Sequence, residues 1–179
     1  MEKEPPIIDN SKEGFGHRAQ HRMAELTEDA FDTIDEVIET ETGDKEDSKG
    51  VDVKIRMASR LLAPDYTTAG PQKVKEKIDS MARNPFTVAV NENGERETAL
   101  RFVIHGLEDN WRDFVEQADK TGRRVAESQP HNVVVSQKKK WIEQMQFQIK
   151  YFRPYCKGKK DKEEFLDDIE AALKIEWLD

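Results

Sequence analysis

The chain has 179 residues, which is the usual length of one domain, since domains span about 100–200 residues. Apolar residues make up 36% and charged residues 37% of it, which is polar for a globular protein but still sufficient for a core. The single cysteine excludes a disulfide framework, and no apolar run approaches the roughly 20 residues that span a bilayer. We therefore expect a protein of a reducing compartment, cytoplasmic or nuclear, that has no membrane partner.

Two parts of the chain differ in pattern. Residues 1–16 are predicted to form a mobile acidic N-terminal tail, because a proline pair and mixed charges break any regular period. Residues 17–179 are predicted to form a single helical domain, with a subdivision near residues 84–106 as its one interruption.

Three short helices are predicted before residue 86. In the first, Thr27 is the N-cap, and the apolar residues at steps of three and four are Met23, Leu26, Ala30, Ile34, Val37 and Ile38. An acidic surface loop, residues 40–50, follows it. The second helix ends at Pro64 and has an apolar stripe of Val51, Ile55, Ala58 and Leu62. The third begins at Pro71 and has an apolar side of Val74, Ile78 and Met81.

Residues 86–104 change to a period of two, which predicts a β-hairpin. A three-residue loop that ends at Gly94, in the left-handed conformation, sets residue 88 opposite residue 98 and gathers the apolar residues on one face. The second half, residues 97–104, is also compatible with the start of a helix. An isolated hairpin is marginally stable, so this one is expected to pack on helices or to join the sheet of a partner.

Three further helices are predicted after the hairpin. The first reaches Pro130 at most, is weakened or ended early by Gly122, and has an apolar face of Leu107, Trp111, Phe114, Ala118 and Val125. The second ends at Pro154 and buries Trp141, Ile142, Met145, Ile149 and Phe152. The last opens at Asp161 and buries Phe165, Ile169, Ala172, Leu173 and Trp177. These patterns predict a mostly α fold, a single helical domain of about five to six amphipathic helices with one β-hairpin.

A basic segment, residues 138–162, lies between acidic stretches and carries 9 basic and 2 acidic side chains. Of its aromatic residues, Tyr151 and Tyr155 are predicted to fall outside the buried stripe. Its cations are candidates for phosphate binding, or they pair internally with the acidic helices 28–41 and 163–176. The candidate anion or nucleic-acid binding residues are Lys138, Lys139, Lys140, Lys150, Arg153, Lys157, Lys159 and Lys160.

Motifs that carry catalysis or metal binding are weak in this sequence. His17 and His21 have the spacing of two ligands on one helix face, but no third ligand follows, so we interpret them as surface residues. His105 and His131 are isolated, and Cys156 is interpreted as an inert thiol. The chain contains no phosphate-binding glycine loop and no nucleophile elbow. The sequence therefore predicts no catalytic residue, no metal and no cofactor.

The predicted function is that of a non-enzymatic helical adaptor or assembly subunit that acts through protein–protein contacts, self-association included. The alternative is a nucleic-acid-associated accessory protein that binds phosphates through the 138–162 segment. A third hypothesis, an enzyme without a recognisable motif, requires a deep pocket that holds His105 or His131 beside acidic residues.

Overall fold

The computed structural model describes residues 12–39, 53–106 and 108–178. The helices are α1 Lys12–Ala30, α2 Pro71–Met81, α3 Glu108–Thr121, α4 Val125–Ser128, α5 His131–Cys156 and α6 Lys160–Leu178. The strands are β1 Ile34–Glu39, β2 Val53–Met57, β3 Arg60–Thr67, β4 Phe86–Val90 and β5 Arg96–His105. The strands form one sheet in the order β1-β2-β3-β5-β4, in which β3 and β5 are parallel and the other pairs antiparallel. The predicted mostly α fold is therefore wrong, and the chain is an α/β protein.

The first predicted helix is two elements, because α1 ends at Ala30 and β1 begins at Ile34. Thr27 is not an N-cap: it lies in the last turn of α1, where its hydroxyl donates to the Met23 carbonyl at 2.8 Å. Of the predicted tail, residues 1–11 lie outside the described residues, and α1 begins directly after them. The predicted acidic loop, residues 40–50, also lies outside the described residues.

The second predicted helix is the β2–β3 hairpin. Ile55 pairs with Leu62, and the turn is made by Ala58 and Ser59, which both have positive φ angles of 50° and 62°. Such turns usually contain glycine or asparagine, so this hairpin carries no sequence signal. Pro64 does not end a helix but lies in β3, beyond the last residue that pairs with β2, where its missing N–H breaks no hydrogen bond to β2.

The predicted register of the second hairpin is confirmed, because Val88 pairs with Thr98 and Gly94 has a φ angle of 78°. The alternative of a helix over 97–104 is wrong, since β5 continues as a strand to His105. The hairpin joins a sheet of its own chain through the parallel pairing of β5 with β3. That pairing connects residues far apart in the sequence, so no periodic pattern within a short stretch of the chain predicts it.

The main core lies between the sheet and the helices, and it includes the predicted stripe of α5. Trp141 is fully buried, and its ring stacks on that of Trp111 with centroids 5.6 Å apart. The helix itself is longer than predicted: it begins at His131, and Pro154 lies within its last turn instead of ending it. The α5 residues predicted to be buried are buried, namely Trp141, Ile142, Met145, Ile149 and Phe152.

The last helix differs from its prediction at both ends. It begins at Lys160, so Asp161 lies inside the helix and is not the residue before it. Near the other end Glu176 is buried, whereas Trp177, predicted to be inside, is 38% exposed. The remaining predicted core positions of α6 are buried, namely Phe165, Ile169, Ala172 and Leu173.

One edge of β5 is covered by two side chains instead of a strand. The Arg101 amide donates to the Pro85 carbonyl, but β4 does not reach the backbone of Val103 and His105. The Gln148 amide accepts from Val103 N at 2.8 Å and donates to Val103 O at 2.7 Å. Gln144 makes the same two bonds to His105, both at 3.0 Å.

The spacing of Gln144 and Gln148, the glutamine pair, explains why both side chains reach the edge of β5. Four helical residues rise about 6 Å, and two strand residues span about 6.6 Å, so side chains at i and i+4 on a helix can meet alternate residues of a strand. Buried backbone groups are nearly always paired, and here side-chain amides supply the partners that β4 does not. The pair therefore docks α5 on the sheet.

We expect Gln148→Ala to lower the free energy of unfolding by at least about 2 kcal/mol, because each unpaired buried backbone group costs about 1–3 kcal/mol. Urea unfolding followed by circular dichroism measures the loss. The matched control is Gln146→Ala on the same helix, which should change stability by less than about 0.5 kcal/mol. Equal stability of the two variants would contradict the role given to the glutamine pair.

Candidate functional site

Two cations of the basic segment form ion pairs within the molecule. Lys138 is buried, and its Nζ lies 2.6 Å from Oε2 of Glu176 on α6. Arg153 pairs with Asp167 at 2.9 Å and also with Glu170, both on α6. Internal pairing therefore accounts for these two candidates, which join α5 to α6.

The other candidate cations are spread over several surfaces. Consecutive helix residues point about 100° apart, so neighbouring lysines of α5 diverge. Lys139 lies 5.3 Å from the centroid of the Trp177 ring, and Lys140 lines a groove beside α2 as well as a shallow depression that it shares with Lys139. The Nζ of Lys160 lies 3.9 Å from Glu164. The remaining three are exposed, namely Lys150, Lys157 and Lys159.

Glu176 is a buried carboxylate that stays ionised. Burial alone would raise its pKa, but hydrogen bonds from Lys138 and from the Thr33 backbone amide outweigh burial, and the net pKa lies below its usual value. A charge-assisted pair removed from water is costly to break, because the remaining partner keeps its charge. This contact fixes the C-terminal end of α6 against α5 and the start of β1.

The remaining candidates for reactive or metal-binding chemistry do not converge. Burial raises the pKa of the Cys156 thiol, against the opposing effect of nearby lysines, as expected for an inert cysteine. His17 and His21 are exposed on α1, and His131 is exposed at the start of α5. Among the residues that the structure describes, no three His, Cys, Asp or Glu side chains come together as metal ligands. No helix in the described ranges is long and apolar enough to cross a membrane.

A groove of about 710 Å³ lies between α2 and α5, beside the part of β5 that β4 leaves uncovered. Ligand sites usually measure about 300–1,000 Å³. Its α2 wall consists of Pro71, Val74, Lys75, Ile78 and Asp79. Its α5 wall consists of Gln137, Lys140, Glu143, Gln144, Phe147, Gln148 and Tyr151. His105, Gly106 and Asn110 complete it.

The middle of the groove is apolar. Val74 and Ile78 of α2 face the rings of Phe147 and Tyr151 across the groove. These rings stack with centroids 6.1 Å apart, and Phe147 is 60% exposed. Phe147 is a third aromatic residue outside the buried stripe, beyond the two that were predicted. Its spacing of four and eight residues from Tyr151 and Tyr155 is the signal that identifies it.

One end of the groove is closed by a polar contact between its walls. The Tyr151 hydroxyl donates to Oδ1 of Asp79 at 2.8 Å, and this hydrogen bond raises the pKa of Tyr151. This contact lies in the C-terminal half of both helices.

The other end of the groove lies where two parallel strands stop. The Gly106 amide donates to the Thr67 carbonyl at 3.1 Å, so the carboxyl ends of β3 and β5 are adjacent. From there the chain enters α2 and α3. Adjacent residues of a strand face opposite sides of the sheet. On one side, Asp65 binds Lys77 of α2. On the other, Tyr66 contacts Trp141, whose ring stacks on Trp111 of α3.

The two helices therefore leave the strand ends toward opposite faces of the sheet. In open α/β sheets this arrangement leaves a crevice at the carboxyl ends of the strands, where ligands commonly bind. Gly106 lies in the wall of the crevice, and a Cβ atom there would be 1.7 Å from the ring of Trp111. Only glycine allows Trp111 to approach this closely.

Polar side chains line this open end. Burial lowers the pKa of His105, so its imidazole is neutral at pH 7. Gln137 is 8% exposed, and its amide makes no hydrogen bond within the described part of the chain. The carboxylates of Asp79 and Glu143 line the same groove, but in the described ranges neither is hydrogen-bonded to His105. The oriented pairing that activates a histidine as a general base is therefore not formed here.

No protein-family model matches the chain, and neither a curated protein nor a solved structure matches it significantly. The function of the groove therefore has to follow from the chemistry of its own side chains.

We expect Glu176→Gln to destabilise the protein by about 3–5 kcal/mol at pH 7, because Lys138 keeps a buried charge without its partner. The stabilisation from Glu176 is fully present above its unfolded pKa of about 4.3 and is lost as pH falls through its lower folded pKa. The difference between parent and variant should therefore shrink between about pH 5 and pH 3.

Chemical denaturation at several pH values measures this difference. The control is Glu164→Gln, which removes the exposed pair with Lys160 and should cost less than about 1 kcal/mol at every pH. A cost for Glu176→Gln as small as that of the control would show that the Lys138–Glu176 contact adds little to stability.

Proposed function

We propose that the protein is a non-enzymatic adaptor that binds a segment of a partner protein in the groove between α2 and α5. The observation that carries the proposal is the stacked pair of Phe147 and Tyr151, exposed to solvent opposite an apolar wall. Covering an exposed aromatic ring favours binding by about 1.5–3 kcal/mol when the ring becomes fully buried. Exposed apolar surface of this kind is typical of interaction sites.

The charges of the groove favour a polypeptide over nucleic acid. Lys75 and Lys140 are balanced by Asp79 and Glu143, so the groove has no net positive charge. Polar groups occur along both walls, and a peptide carries polar backbone groups along its whole length that meet them. The Phe147 ring provides the apolar anchor that such interfaces use.

The uncovered edge of β5 is not free for a partner strand. The backbone groups of Val103 and His105 already bind the glutamine pair. A bound segment therefore gains affinity from side-chain contacts with the groove walls, and strand addition at this edge would first have to displace α5.

The groove can be tested with random peptides displayed on phage, selected on the full chain and counter-selected on Ile78→Glu. Selected peptides should bind the parent in fluorescence anisotropy, and Phe147→Ala should weaken them about tenfold or more, a loss of about 1.4 kcal/mol or more. The exposed position of Phe147 predicts a stability change below about 0.5 kcal/mol, so lost binding reflects the groove and not unfolding.

The matched control is Tyr155→Ala, which removes an exposed aromatic ring of the same helix that does not line the groove. This variant should bind the selected peptides as tightly as the parent. Peptides that bind Phe147→Ala and the parent equally, or that lose affinity equally with Tyr155→Ala, would overturn the proposed site.

The proposal also predicts negligible binding to nucleic acid at physiological salt. Fluorescence anisotropy with labelled single-stranded and double-stranded oligonucleotides measures this binding. The salt concentration is varied over about 50 to 200 mM, a range in which the affinity from phosphate contacts falls steeply. Affinity that falls with salt by a log–log slope of about −0.7 to −0.9 per phosphate would instead support the alternative function of the basic segment.

A further inference from the structure

The groove opens beside the first residues of α3, because Gly106 and Asn110 belong to its lining. One of its walls carries the stacked rings of Phe147 and Tyr151, and the opposite wall is apolar. The nearby edge of β5 already binds the glutamine pair, so an occupant gains nothing from strand pairing there. The groove therefore favours an extended segment whose backbone needs no ladder of hydrogen bonds.

A segment of that kind occurs in the chain itself, in residues 1–11. This N-terminal segment, MEKEPPIIDNS, precedes α1 and contains the apolar run Pro5, Pro6, Ile7 and Ile8. Proline has no N–H and holds φ at about −65°, so consecutive prolines favour the polyproline II conformation. Aromatic-lined grooves bind such segments, because a preformed conformation loses little entropy on docking. The chemistry of the apolar run thus matches the aromatic wall of the groove.

The start of α1 lies close to the start of α3. Phe15 packs against Arg112, with 4.5 Å between the ring centroid and the guanidinium carbon. Further along both helices, Arg22 binds Asp119 at 2.8 Å. Both pairs are separated by 97 residues, so the helices run side by side in the same direction, and Lys12 is level with the first turn of α3. Packed helices lie about 8–10 Å apart, which places Lys12 about 10 Å from that turn.

The chain before α1 is long enough to enter the groove. The 11 residues of α2 extend about 16 Å, so the middle of the groove is about 8 Å from its open end. The path from Lys12 past the first turn of α3 to that point is therefore about 18–20 Å. Seven residues in the polyproline II conformation span about 22 Å, which brings Pro5 to the level of Phe147.

The charges along this path are consistent with the same placement. When Pro5 is in the middle of the groove, Asp9 is about 12 Å further back, at the open end. Lys140 lines that end, so the carboxylate of Asp9 meets a cation there. The N-terminal segment as a whole contains three acidic residues and one lysine, which favours its approach to the lysines of the groove walls.

We infer that the N-terminal segment occupies the groove of its own chain, with Pro5 and Pro6 on the rings of Phe147 and Tyr151, and that a partner segment binds by displacing it. The inference rests on the proposed peptide-binding function of the groove. Tethering keeps the segment at an effective concentration on the order of 1 mM. A free segment with a dissociation constant of about 100 μM would, when tethered, weaken a competing peptide about elevenfold.

The test compares the full chain with the full-length variant Pro5→Ser/Pro6→Ser, whose substitutions precede α1. The probe is a synthetic peptide of residues 1–11 with a fluorophore, measured by anisotropy. It should bind the variant about tenfold tighter than the parent, because the segment of the parent competes for the groove. Peptides from the display selection should show the same gain. Adding Phe147→Ala to the variant should weaken the probe about tenfold or more.

The matched control is Lys3→Gln/Asn10→Ser, which changes the same segment outside its apolar run and should keep the affinity of the parent. A probe that does not bind the variant, or that binds it regardless of Phe147→Ala, would overturn the inference. Selected peptides that still depend on Phe147 would then leave the groove function intact, whereas selected peptides that ignore Phe147→Ala would overturn both. Parent dimers in light scattering that Pro5→Ser/Pro6→Ser dissociates would assign the occupant to a second copy and overturn the intramolecular contact.

Discussion

The docking of α5 on the uncovered edge of β5 is the contact on which the rest of the structure depends. Buried backbone groups of a strand need hydrogen-bond partners on both sides, and β4 is too short to pair with the last residues of β5. The amides of Gln144 and Gln148 complete that edge with four hydrogen bonds between 2.7 and 3.0 Å. Because these bonds have defined directions, they fix both the position and the rotation of the helix.

Once α5 is fixed in position, each side of the helix contacts a different part of the protein. Trp141 and its stripe face the core, Lys138 and Arg153 bind α6, and Phe147 and Tyr151 face α2. Core, ion pairs and groove thus share one rigid helix. Binding surfaces on rigid elements keep their geometry when a ligand arrives, which reduces the entropy lost on binding.

The parts of the structure that follow from local pattern were predictable. The stripe of α5 and the register of the β4–β5 hairpin depend on periods of 3.6 and 2 within a few residues. The β2–β3 hairpin was predicted as a helix because Val51, Ile55, Ala58 and Leu62 happen to have helical spacing. Its turn, Ala58 and Ser59, lacks the glycine or asparagine that is typical of such hairpins, so no hairpin signal contradicted the helical interpretation.

By itself, the sequence determined which residues of α5 fill the core, most of the buried face of α6, and how β4 pairs with β5. Only the tertiary structure decided that Lys138 is a buried partner of Glu176 and that Phe147 belongs to a groove. Both depend on contacts between segments far apart in the chain. The parallel pairing of β3 with β5 brings α2 beside α5, and such pairing arises from the packing of the whole sheet, which no local period encodes.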